Sequence, residues 1–176
     1  MKNISIWKDT VNNSDMYDAL NENIDVDILI IGGGITGCST FYQFKDDNRK
    51  IALVEKNRLG SGASSRSSAK ITFLQEDIYT KLKFIFGRDK AYLYYRGEKE
   101  ALKIVSELIE KENVDCDLKK SKSYLYTLDP SNIKKIEKEK ELLSSFGEKT
   151  TSIKKLPNGM RVESGFYVND TYIFHP

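Results

Sequence analysis

Val26-Asp27-Ile28-Leu29-Ile30-Ile31-Gly32-Gly33-Gly34-Ile35-Thr36-Gly37 is an apolar run that stops at a glycine cluster, and Ile51 to Glu55 supply a second apolar run ending in a carboxylate. Gly32, Gly34 and Gly37 fall on the G-x-G-x-x-G positions of a dinucleotide fingerprint. The first lets the chain turn, the second lets the backbone approach a pyrophosphate, and the third lets a helix lie close to its strand. A helix start presents unsatisfied amides and the positive end of its dipole, so a diphosphate belongs at about Ile35 and Thr36. Glu55, roughly 20 residues further on, can accept from the adenosine ribose hydroxyls and would repel a 2′-phosphate, which disfavours NADP. Glycines between a strand and a helix can also make a bare tight turn. Here the strand, the glycines, a helix-compatible stretch from about Ile35 to Lys45 and the acidic strand end coincide, which favours a βαβ unit over residues 26–55. Phe41 breaks the pattern: four residues after Gly37 a small side chain is usual, so the ring must be accommodated or turned outward.

The 176 residues, 39% hydrophobic, are enough for a packed core. Lys and Arg total 28 against 26 Asp and Glu, a net charge of +2 that gives no electrostatic case for nucleic acid or an anionic membrane. No apolar run approaches the roughly 20 residues needed to span a bilayer, and the first residues are polar, so a cytoplasmic protein is expected. Cys38 and Cys116 have no metal or redox spacing and read as small buried or half-buried residues. His175 is the only histidine, so the chain alone cannot build a His-based triad or a two-histidine metal site; no metal is expected.

Outward from the fingerprint, residues 1–25 read as an arm packed through Trp7. Lys56 to Lys70 read as a loop rich in Gly, Ser and Arg. Helices are expected over Glu76–Phe86 and, after a Gly87-Arg88-Asp89 break, Ala91 to about Glu112. The second would bury Leu93, Ala101, Ile104, Val105, Leu108 and Ile109, with Tyr92, Tyr94 and Tyr95 packing at its edge. Ser123–Leu128 alternates as a strand, Asn132–Phe146 is a charged helix ended by Gly147, and Met160–Val168 is a further strand. Two parallel strands are too few for a doubly wound sheet. The chain is expected to be part of a longer protein.

In the loop Glu55-Lys56-Asn57-Arg58-Leu59-Gly60-Ser61-Gly62-Ala63-Ser64-Ser65-Arg66-Ser67-Ser68-Ala69-Lys70, glycines permit close approach, serine hydroxyls can donate or accept, and Arg66 and Lys70 can neutralise phosphate or a reduced flavin. By composition alone a solvent loop is an equal reading. Its place directly after the acidic strand end, however, resembles the D-amino-acid oxidase-like family of FAD-dependent oxidoreductases, which includes glycine and sarcosine oxidases. The subgroup it resembles is gamma-glutamylputrescine oxidoreductase-like, with members fused to a Rieske module. Ser67-Ser68-Ala69-Lys70-Ile71-Thr72, Ser5-Ile6-Trp7 and Tyr172-Ile173-Phe174-His175-Pro176 carry that likeness. Ala69 stands where glycine is usual, and Gln75 where histidine is common.

The resemblance implies an α/β fold: a Rossmann-like FAD-binding βαβ unit with helices and part of an α+β substrate domain, truncated. Residues 26–115 would be the N-terminal part of the FAD-binding domain and 116–176 the start of the substrate domain. It implies FAD as cofactor, held by Gly32, Gly33, Gly34, Ile35, Thr36, Gly37, Glu55, Lys56, Gly62, Ser64, Ser65, Arg66 and Lys70. The reaction would oxidise the C–N bond of a small-molecule amine or amino acid, with the missing C-terminal half or a Rieske module as partner. Catalytic residues are unknown: substrate-binding groups and much of the flavin site would come from later sequence, and this chain alone would be inactive. The rival readings are an NAD-dependent dehydrogenase and a non-catalytic truncated product or interaction protein that keeps the fold.

Overall fold

The computed structural model describes residues 5–10 and 17–176. Contacts divide the chain into two compact units, Met1–Ser68 with Pro176, and Ala69–His175. Packing therefore parts the chain at 68/69, ahead of the functional boundary expected at 115/116, because the two helices after residue 77 pack with the antiparallel strands that follow them.

In the first unit, helix α1 (Ile6–Thr10) is followed by strand β1 (Ile28–Ile31), helix α2 (Ile35–Tyr42) and strand β2 (Ile51–Val54). β1 and β2 run parallel, Ile28 opposite Ile51 and Ile31 opposite Val54, with α2 packed on both. The expected βαβ unit is present, with its helix ending three residues earlier than expected. Phe41 is turned outward, 42% exposed.

The second unit opens with β3 (Lys70–Ile71), so Lys70 lies on a strand and not in a loop. Helices α3 (Ile78–Phe86) and α4 (Arg88–Lys111) meet at Gly87, whose φ of 85° suits glycine and lets one residue end α3 and start α4. The break is thus a single residue. Strand β4 (Lys119–Thr127), helix α5 (Ile133–Ser145), strand β5 (Thr150–Ser152) and strand β6 (Ser164–Ile173) complete the unit. β6 is central: β4 pairs antiparallel along one edge, and β5 and β3 pair antiparallel with it at either end of the other. A bulge between the Ser121–Thr171 and Ser123–Val168 pairs places the extra residue in β6, where Asp170 takes a φ of 55°. β4 starts four residues earlier than expected and β6 runs five further. β3 and β5, two and three residues long, carry too few side chains for an alternation signal.

The core lies between the helices and the sheet: Phe73, Tyr79, Ala91, Tyr95, Leu102, Ile136, Leu143, Phe146, Phe166 and Val168. Tyr95 sits within it and not at its edge, with edge-on contacts to Phe73 and Tyr79, and its hydroxyl donates to Glu148 at 2.6 Å. The buried stripe of α4 is therefore Ala91, Tyr95, Leu102 and Ser106. Of the stripe read from the sequence, Leu93 is 57% and Ile104 52% exposed, with Ala101 and Val105 also exposed. An aromatic with a satisfied hydroxyl took the core face in place of the aliphatics. Among the described residues no helix is long and apolar enough to cross a membrane.

Two buried carboxylates organise the start of α3. Glu139 of α5, fully buried, accepts from the amides of Tyr79 at 3.0 Å and Thr80 at 2.8 Å, and from the Thr80 hydroxyl. Asp77 is ion-paired to Lys81 at 2.8 Å and Lys135 at 3.2 Å. Burial raises the Glu139 pKa despite those donors. Burial also pushes Asp77 upward, but Lys81 and Lys135 outweigh it and hold it below the usual range.

A group with a raised native pKa stays protonated in the folded chain after it has ionised in the unfolded one. Glu139 should therefore contribute stability that is present below its unfolded pKa and lost as pH rises through its native value. Asp77 works oppositely: its contribution is present above its unfolded pKa and lost as pH falls through its native value. Glu139→Gln keeps an acceptor and should flatten the Glu139 part of the profile. Glu139→Leu orphans three donors and should cost about 3 kcal/mol. Denaturant melts of the three chains from pH 4 to 8 check this; an unchanged pH slope in Glu139→Gln refutes it.

Candidate functional site

β1 ends at Ile31 and the chain reverses at Gly32, whose φ of 105° is costly for any residue with a Cβ and whose amide donates to Val54 O at 2.8 Å. α2 then begins directly over the strand end. A Cβ on Gly37 would lie 1.8 Å from the carbonyl oxygen of Gly32, so close packing of helix on turn demands glycine there. At Gly33 a Cβ would meet the Leu59 side chain at 2.2 Å and Glu55 Cβ at 3.1 Å. Gly34 is different. Its backbone is ordinary, φ −81° and ψ −177°, and a Cβ would meet nothing nearer than Ser64 Oγ at 3.4 Å, a normal contact. The fold gives no reason for glycine at 34.

Gly34 is the N-cap of α2 and supplies no side-chain cap. The Ile35 amide donates to Ser64 Oγ at 3.0 Å, and Cys38 N to Gly34 O at 2.9 Å closes the first helical turn. Ile35 and Thr36 are exposed at this positive helix end. Cys38 is exposed, not buried, although its thiol reaches back to the Gly33 carbonyl at 3.6 Å, whereas Cys116 is buried.

Glu55 folds back on the glycine turn. One carboxylate oxygen accepts from Gly33 N at 2.8 Å and the other from Asn57 N at 2.9 Å. These bonds, Asn57 first and Gly33 second, lower its pKa, so it is ionised at neutral pH. Each oxygen retains acceptor capacity for a hydroxyl. Lys56 beside it is exposed.

The loop after Glu55 is built onto the same turn. Gly60 N donates to Gly33 O at 2.8 Å, Ser65 N to Gly60 O at 3.1 Å, and Ser65 Oγ to Gly62 O at 3.2 Å. The chain then makes a 3-10 turn over Ser64–Arg66. Gly62 has open space around its Cβ position. Arg66 is exposed at the end of the turn. Structure thus brings Gly32 to Gly37, Glu55, Gly60 and Ser64 together within one unit. Lys70 belongs to the second unit, exposed on β3. Ala69 has a φ of 53°, the left-handed region where glycine carries no penalty.

Sequence reasoning missed three participants. Asn57 donates to Glu55, Leu59 closes over Gly33, and Ser5 holds the Ser65 carbonyl. Of these only Ser5 had a signal, its place beside Trp7 in a segment already noted.

A family model described as FAD dependent oxidoreductase (DAO) matches residues 27–176. The putative Rieske 2Fe-2S iron-sulfur protein YhfW of Bacillus subtilis (strain 168) is 30% identical over 170 residues, 97% of this chain and 33% of that protein. Gamma-glutamylputrescine oxidoreductase of Escherichia coli (strain K12) is 26% identical over 133 residues, 76% of this chain and 31% of that protein. Among solved structures, L-amino acid deaminase from Proteus vulgaris superposes with a TM-score of 0.65 at 16% identity, covering 92% of this chain and 37% of that one, a likeness of fold. The chain spans about a third of the length of the curated relatives it matches.

The glycines separate in a melting experiment. Gly37→Ala forces a methyl onto a backbone oxygen and should cost about 2–3 kcal/mol. Gly34→Ala should leave stability within about 1 kcal/mol of the parent. Equal destabilisation by both would show that Gly34 is fixed by the fold.

Proposed function

Because this chain belongs to the DAO family of FAD-dependent oxidoreductases, we propose that residues 26–67 hold the adenosine diphosphate part of FAD and that the whole protein oxidises the C–N bond of an amine or amino acid. Gly34 carries the reading: it is a glycine that the fold does not require, at the exposed start of a helix. The amides of Ile35 and Thr36 would bind pyrophosphate oxygens, and the helix dipole favours their charge. Glu55 would accept from the ribose hydroxyls, with its charge set against a 2′-phosphate. Gly62, Ser64, Ser65 and Arg66 would continue along the cofactor, as would Lys56. FAD, when bound, accepts the hydride equivalent from the carbon beside the nitrogen. The chain's own part is to bind and orient. The family match also favours FAD over NAD as the dinucleotide.

The names of the relatives support the substrate class. Gamma-glutamylputrescine oxidoreductase is named for an amine and the Proteus enzyme for amino acids. The Bacillus relative's name supports a Rieske module as partner of the whole protein. Residues 116–176, with their antiparallel strands, would begin the substrate domain.

Titration of the 176-residue chain with FAD, NAD and NADP, followed by flavin or nucleotide fluorescence anisotropy, tests the cofactor reading. FAD should bind best. Gly34→Ala should weaken it at least tenfold without lowering the melting temperature, and Glu55→Gln should weaken it severalfold by removing a charged acceptor. Preference for NAD, or FAD binding indifferent to Gly34→Ala, overturns the assignment. For the reaction, the whole protein is assayed with amines, amino acids and 2-hydroxy acids and an artificial electron acceptor. Turnover confined to hydroxy acids would overturn the C–N reading.

A further inference from the structure

Residues 5–10 reach the serine loop through side chains. The Ser5 hydroxyl accepts from Trp7 N at 3.3 Å and donates to the carbonyl of Ser65. The Trp7 indole N–H donates to the carbonyl of Ser67 at 3.0 Å. The two carbonyls lie two residues apart, flanking Arg66, so Ser5 and Trp7 hold the last part of the 3-10 turn from either side of that arginine while Ile6 stays 67% exposed. That turn is three residues long, and its closing bond from Ser67 N to Ser64 O is stretched to 3.5 Å. So short a turn has little rigidity of its own. Its first residue, Ser64, puts Oγ on the Ile35 amide at 3.0 Å. A hydroxyl that accepts there still has its own proton to donate, so Ser64 can pass the pull of a helix amide on to an anion.

We propose that the α1 segment is a strap for the cofactor turn, with Trp7 and Ser5 as positioning residues that hold Ser64 at the start of α2 for the FAD phosphates. This rests on the FAD reading above. Trp7 does not touch the cofactor in this scheme; it acts through Ser64. Loss of the indole donor lets the turn relax, the Ser64 hydroxyl leaves the Ile35 amide part of the time, and FAD meets a site it must first order.

The test uses the 176-residue chain with Trp7→Phe, which keeps the ring and removes the donor, Ser64→Ala, and the double variant. Without cofactor, hydrogen exchange in Trp7→Phe should quicken at Ile35 and across 64–67 and stay unchanged in α3, α4 and α5. Titrated with FAD, each single variant should bind roughly three- to tenfold more weakly, as one lost hydrogen bond implies. The double variant should be no weaker than Ser64→Ala alone, because Trp7 has nothing left to position. Additive losses, or a Trp7→Phe chain that binds like the parent, overturn the strap. Tighter binding by Ser64→Ala would show that the hydroxyl competes with the phosphate, and overturns it as well. Failure of the unaltered chain to bind FAD would sink the cofactor reading, and the exchange experiment then decides the strap by itself: unchanged exchange at Ile35 and 64–67 refutes it.

Discussion

The contact between Gly37 and the carbonyl of Gly32 governs the first unit. At a notional Cβ distance of 1.8 Å no side chain fits, and only that approach lets α2 start directly over the end of β1. Once the helix is so placed, the glycine turn lies flat against it. Gly33 then offers its amide to Glu55 and its carbonyl to Gly60, and the loop after β2 is drawn over the strand ends. Ser64 arrives at the helix start by that route. A methyl at 37 would displace the helix and, with it, each of these bonds.

The two helix starts satisfy the same physical demand in opposite ways. α3 meets a carboxylate of its own chain: Glu139 takes the amides of Tyr79 and Thr80 in a fully buried setting, where burial has already raised its pKa. No anion from solution can compete there. α2 meets a neutral hydroxyl, Ser64, at one amide, with Ile35 and Thr36 exposed. A hydroxyl neutralises little of the dipole, so the electrostatic attraction for an anion persists at this end. One helix start is closed by a buried acid of its own fold, and the other keeps its exposure and its positive end.

The parts legible in the sequence were those set by local rules. A glycine that must turn, a glycine that must vanish beneath a helix and a carboxylate at a strand end leave residues at fixed spacing, and β1, α2 and β2 lie where that spacing puts them. The phase of α4 was not legible. Its aliphatics are spaced for burial, but the core beside it holds Phe73, Tyr79 and Phe146, and Tyr95 could enter it because Glu148, 53 residues away, takes its hydroxyl. A partner that distant leaves no periodic trace. The same holds for Trp7: its role as an anchor was readable from its being the only tryptophan, yet the Ser67 carbonyl it binds is 60 residues away.

Side-chain burial in the first unit adds a last step. Parallel strands are normally covered on both faces, and β1 has Ile28 and Ile30 half-buried while Leu29 is 51% and Ile31 81% exposed. Within its own unit, the Leu29 side of β1 therefore lacks the apolar cover that a two-stranded sheet cannot supply. The glycine turn does not share that dependence. Its bonds to Val54, Glu55, Gly60 and Ser64 are closed within the unit. Order in the glycine turn and burial of the sheet are thus separable: the first is set by backbone geometry within a few tens of residues, the second by apolar area that a two-stranded sheet cannot bury alone.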